Sequence, residues 1–87
     1  MATDVKTAVE LAGKYLSDLL QIPVQNMLLE EVERSGSYWR ITLSYPDPSP
    51  SFRTLVGGRT YKIVELDAET GEFVAIKIRN VAYDRSA

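Results

Sequence analysis

An α+β fold, one N-terminal helix packed on a four-stranded antiparallel sheet, follows from three features of this 87-residue chain. Apolar residues recur at helical spacing only near the start. Tyr38–Tyr45 alternates with period two. "VELDAETGEFVAIKI" sets two strand-like runs around a short polar stretch that ends in glycine.

The helix comes first. Val5, Ala8, Val9, Ala12, Leu16, Leu19 and Leu20, with Tyr15 beside them, form the i, i+3, i+4, i+7 stripe of a buried helical face over Asp4–Leu20. Lys6, Glu10, Lys14 and Ser17 take the other side, and Glu10 precedes Lys14 in the favourable i, i+4 order. Thr3 is the expected N-cap, with Asp4 at the positive end of the helix dipole. Pro23 has no amide hydrogen and pushes Ile22 towards extended geometry, so the helix stops before it.

Four strands follow. Trp39, Ile41, Leu43 and Tyr45 alternate with Tyr38, Arg40, Thr42 and Ser44, the pattern of a half-buried strand. Ser35-Gly36-Ser37 is a tight reversal before it, which makes Met27–Arg34 its antiparallel neighbour despite poor alternation. Tyr61–Leu66 and Phe73–Ile78 supply the last two strands. Between the pairs runs a Pro-rich loop at 46–59, and a frayed tail is expected at 80–87. Residues 1–87 thus read as a single domain, whose expected core takes Val9, Ala12, Leu16 and Leu19 from the helix. The sheet is expected to add Trp39, Ile41, Leu43, Val64, Leu66, Val74, Ile76 and Ile78.

Asp67-Ala68-Glu69-Thr70-Gly71 reads as a turn rather than a cation site. Aspartate stabilises the start of a type I turn through its side chain, and glycine accepts the positive φ that rejoins the next strand, as a bulge. The spacing of Asp67, Glu69 and Glu72 lacks the oxygen-ligand series and closing glutamate of an EF-hand. The helix-then-sheet order and Val64, Asp67, Ala68, Thr70, Gly71, Phe73 and Val74 resemble the PepSY-like domains, whose hairpin runs V-x-x-D-A-x-T-G-x-V. That resemblance implies a helix lying across a small sheet, a secreted or membrane-attached setting, and a peptidase-inhibitor-like role.

Composition removes most catalytic chemistry. With no cysteine and no histidine, thiolate and imidazole nucleophiles, bases and metal ligands are all absent. Glu30, Glu31 and Glu33 sit on one strand with no cleft between them, "VGGRTYK" lacks phosphate-loop spacing, and the serines have no imidazole to activate them. The expectation is a non-enzyme with no cofactor and no metal. No run is long enough to span a bilayer, and the first residues lack a basic segment leading into an apolar core, so a cytoplasmic setting is expected.

The expected function is a non-catalytic protein-binding or regulatory module. The outer sheet face gathers Tyr38, Tyr61, Ile63 and Phe73 with Arg40, Lys77 and Arg79, and three readings fit this mixture. It is an ordinary wet face, an interface for another protein or a homodimer, or a platform for single-stranded nucleic acid. The net charge of −2 and the lack of an RNP-type motif put nucleic acid last. In the loop, Phe52, Leu55 and Val56 either plug the open end of the core or anchor another chain with Arg53 and Arg59 at the rim, so Phe52, Arg53 and Leu55 join the candidate contacts.

Overall fold

The computed structural model describes residues 3–46 and 58–79. Helix α1 spans Val5–Leu20, a 3-10 turn covers Val24–Asn26, and four strands follow: β1 Leu28–Ser35, β2 Tyr38–Pro46, β3 Arg59–Asp67 and β4 Phe73–Arg79. The strands form one antiparallel sheet in the order β1-β2-β3-β4. This is the α-β-β-β-β arrangement expected from the sequence. Pro46 and Arg59 pair as the last rung of β2 and β3, so the strands extend into the expected loop at both ends. The loop's interior, 47–57, and the expected tail at 80–87 lie outside the described residues.

The N-cap of α1 is Asp4, not Thr3. Asp4 Oδ1 accepts the Thr7 N–H at 2.8 Å. Thr3 is occupied elsewhere: its N–H donates to Ala68 O at 2.8 Å, and its carbonyl accepts Trp39 Nε1–H at 3.0 Å. The helix ends three residues before Pro23, where Gln21 turns left-handed (φ 60°) and its N–H bonds to Ser17 O. That turn carries Ile22 into the core, while Leu19, an expected core residue, stands 57% exposed at the helix tip.

Small residues let α1 approach the sheet closely. Ala8, Ala12, Gly13 and Leu16 are its buried positions. They meet Ile41, Leu43 and Tyr45 of β2 and Val64 and Leu66 of β3, with Trp39 and Ile76 partly buried at the margin. A helix about 10 Å across covers two or three strands spaced about 4.8 Å apart, not four. Helix α1 lies chiefly over β2 and β3. The expected core residues Val74 and Ile78 consequently remain 43% and 76% exposed on β4.

The Asp67–Gly71 turn between β3 and β4 is built into the core rather than left in water. Asp67 Oδ1 accepts the N–H groups of Glu69 (2.8 Å) and Thr70 (3.1 Å), and Gly71 N–H closes on Asp67 O at 2.8 Å. Ala68 and Gly71 are buried. Tyr15 Oη–H reaches the Gly71 carbonyl at 3.2 Å, so the turn holds the helix from below.

Gly71 has φ 79°, and a Cβ there would stand 2.9 Å from Leu11 Cδ1 and 3.1 Å from Thr3 Oγ1. Gly36 has φ 61° with nothing within 4 Å. Gly71→Ala is therefore expected to cost about 2–4 kcal/mol in urea unfolding, and Gly36→Ala about 1 kcal/mol. Equal costs would mean that the turn is not packed against the helix.

The two N–H donors hold the Asp67 carboxyl below its ordinary pKa, Thr70 contributing most and Glu69 next. A depressed folded-state pKa stabilises the fold above the unfolded value, near 3.9, and that contribution is lost as pH falls through the folded value. Urea midpoints taken between neutral and strongly acidic pH should fall less steeply for Asp67→Asn than for the parent. Parallel slopes would contradict the assignment.

Candidate functional site

Directly paired residues share a face, so the registers assign every strand side chain to one side of the sheet. Tyr38, Arg40, Tyr61, Ile63 and Lys77 lie together on the face away from α1, as expected from the sequence. Arg79 pairs with Tyr61 through its backbone; its side chain, like Phe52, Arg53 and Leu55, lies outside the described residues.

Phe73 does not join this group. A register shift between Glu65/Leu66 and Ala75/Phe73 leaves one extra residue, Val74, on β4. A bulge of this kind undoes strict alternation, and it puts Phe73 opposite Leu66 on the helix side. The Phe73 ring stands 5.6 Å from that of Tyr15, tilted by 58°. The expectation that Phe73 belongs to the outer face is corrected by this bulge.

The remaining outer face is an ion-pair ladder rather than an aromatic platform. Glu33, Arg40 and Glu65 occupy one row across β1, β2 and β3. Arg40 Nη1 stands 3.7 Å from Glu33 Oε1, and Arg40 Nε stands 3.1 Å from Glu65 Oε2. The second contact is close enough for charge attraction, but Nε–H points off the oxygen and makes no hydrogen bond. Lys77 Nζ approaches the same Glu65 Oε2 at 3.7 Å. Each such surface pair contributes at most about 1 kcal/mol, yet together they occupy the cations expected to meet a partner.

A second cluster closes the other end of this face. Ser44 Oγ–H donates to Glu30 Oε2 at 2.6 Å and accepts Arg59 Nε–H at 3.0 Å, tying β1, β2 and β3 together. Glu30 sits at the bulge of β1, where pairing jumps from Leu29–Leu43 to Glu31–Thr42. Thr42 and Ser44 are buried although they face away from α1. The centre of the outer face is thus roofed by its own long side chains, and its exposed aromatic is Tyr38, at the hairpin end.

The two outermost strands, β1 and β4, differ. Strand β1 is interrupted by its bulge and carries Glu30, Glu31, Glu33 and Arg34, devices that discourage another strand from adding there. Arg34 also covers Trp39, its guanidinium 5.6 Å from the ring centre. Strand β4 pairs only with β3 among the described residues. From the bulge residue onward it reads Val74-Ala75-Ile76-Lys77-Ile78, with a single charge before Arg79. Two signals in the sequence point to this strand: three successive apolar residues at Phe73-Val74-Ala75 break the period of two, and one helix is too narrow for four strands.

Asp, Glu, Lys and Arg supply the charged groups of these surfaces, and among the described residues no cluster of acidic side chains is arranged to hold a metal ion. No helix among the described residues is long and apolar enough to cross a membrane. No protein-family model, curated protein or solved structure matches the chain.

Proposed function

We propose that this protein is a non-catalytic protein-binding module whose working surface is the open edge of β4 and the apolar flank beside it. The observation that carries this reading is the exposure of Val74 (43%) and Ile78 (76%) on a strand with no neighbour on one side among the described residues. Such an edge offers unpaired backbone N–H and C=O groups, and the apolar side chains provide the surface that makes pairing favourable. The charge within Val74–Ile78, Lys77, is drawn towards Glu65 and so opposes an incoming strand less than a free lysine would.

A protein suits this surface better than a nucleic acid. Stacking needs several unobstructed rings with free cations beside them. Here Arg40 and Lys77 are engaged by Glu65, and Phe73 packs on Tyr15 on the opposite side.

The test compares proteins retained by the immobilised chain with those retained by two variants. Val74→Lys/Ile78→Lys is expected to lose the specific set, because both side chains are exposed and both flank the edge. Tyr38→Ser, on the outer face, is expected to keep it. Retention by the edge variant, with loss from the outer-face variant, would move the working surface to the other side of the sheet.

A further inference from the structure

We propose that the β4 edge pairs with the β4 edge of a second copy of this chain, antiparallel and centred on Ile76, to give one continuous eight-stranded sheet. This inference rests on the edge-binding reading above and names the occupant.

The argument starts from symmetry. Two identical strands that pair about a two-fold axis bring residue i opposite residue j with a constant sum. Opposite residues must share a face, so the axis has to pass through a residue position and not between two. Three such centres keep most of β4 in register: Ala75, Ile76 and Lys77.

Charge and apolar pattern separate them. Centring on Lys77 sets the two ammonium groups directly opposite each other, which is destabilising. Centring on Ala75 leaves Ile78, the most exposed large apolar residue described, without an apolar neighbour across the seam. Centring on Ile76 places Ile76 against its own copy and Val74 against Ile78 of the second copy, twice. The exposed Val74 and Ile78 are then covered, and the partly buried Ile76 lies at the middle of the seam. Within Val74–Ile78, the sequence of β4 is self-complementary about this residue.

Electrostatics favour the same register. Lys77 of the second copy falls opposite Ala75, and Ala75 in turn pairs with Glu65 on β3. Alanine is short enough for the lysine stem to pass over it towards Glu65, two strand spacings or about 10 Å away. The Glu65 side chain is only 14% exposed and already holds Arg40 and its own Lys77. Each glutamate would thus sit between lysines from both copies. The β1 edge offers no equivalent, since its bulge and its glutamates would meet the same groups in a second copy.

A seam of one seven-residue strand falls below the roughly 1,200 Å² of stable complexes, so the dimer is expected to be weak, with dissociation in the micromolar range or above.

The absence of native cysteine permits a direct test. Sedimentation of the full chain from low-micromolar to millimolar concentration should show a reversible monomer–dimer equilibrium. Val74→Lys/Ile78→Lys, with an unchanged far-UV spectrum, should shift its midpoint at least tenfold towards monomer. Three single-cysteine variants, Ala75→Cys, Ile76→Cys and Lys77→Cys, are then oxidised under identical conditions. Ile76→Cys is expected to give the highest yield of covalent dimer, and the highest yield from Lys77→Cys or Ala75→Cys would overturn the register. A strict monomer at millimolar concentration would overturn the second copy as occupant while leaving the edge free for a different protein. A dimer that the edge variant does not weaken would overturn both this inference and the assignment of β4 as the working surface.

Discussion

Everything in this fold hangs on the clasp between the β3–β4 turn and the first residues of the chain. Thr3 donates to Ala68 O and accepts from Trp39 Nε1, while Tyr15 reaches the Gly71 carbonyl. These bonds connect the start of α1, its middle, a central strand and the turn. A small sheet that one helix covers incompletely has little apolar burial to spare. The hydrogen bonds of the clasp, two of them part-buried bonds from side chains to backbone carbonyls, then help fix where the helix lies, because a buried polar group left unpaired costs about 1–3 kcal/mol.

That position has consequences at the far edge. Helix α1 is held over β2 and β3, so the helix-side residues of β4 past the clasp fall outside its reach. Phe73, next to the turn, still meets Tyr15; Ile78, five residues on, meets solvent. The bulge that lets β4 leave the turn also sets Phe73 and Val74 towards the same side, enlarging the apolar flank. The turn sequence therefore shapes the surface proposed for binding as well as the core. On the opposite side, Glu33, Arg40, Glu65 and Lys77 neutralise one another, and Ser44 with Glu30 and Arg59 closes the other end.

The helix, the four strands and their order were legible because each rests on a strong local signal: the 3.6-residue stripe before Pro23, the alternation after Gly36, and the Asp67–Gly71 turn. The turn was also legible as structural, since Asp67 spends its carboxylate on backbone N–H groups. What the pattern missed was non-local. Thr3 had the right chemistry for a cap, but its peptide groups are taken by Ala68 and Trp39, and capping passed to Asp4. Leu19, Val74 and Ile78 carry apolar side chains at periodic positions, yet their burial depends on the width of one helix against four strands, a matter of element count and not of periodicity. Phe73 changed faces through a single extra residue in β4. The candidate surface moved for these same two reasons.

The most direct test of the clasp is native-state hydrogen exchange at Thr3. An amide preceding a helix N-cap ordinarily exchanges fast, because fraying termini open at almost no cost. If the clasp anchors α1 to the sheet, the Thr3 amide, which donates to Ala68 O, should share the protection of the buried amides of β2, and Gly71→Ala should lower that protection. A Thr3 amide exchanging at the rate of an unfolded chain, with β2 fully protected, would show that the helix is held by its apolar face alone.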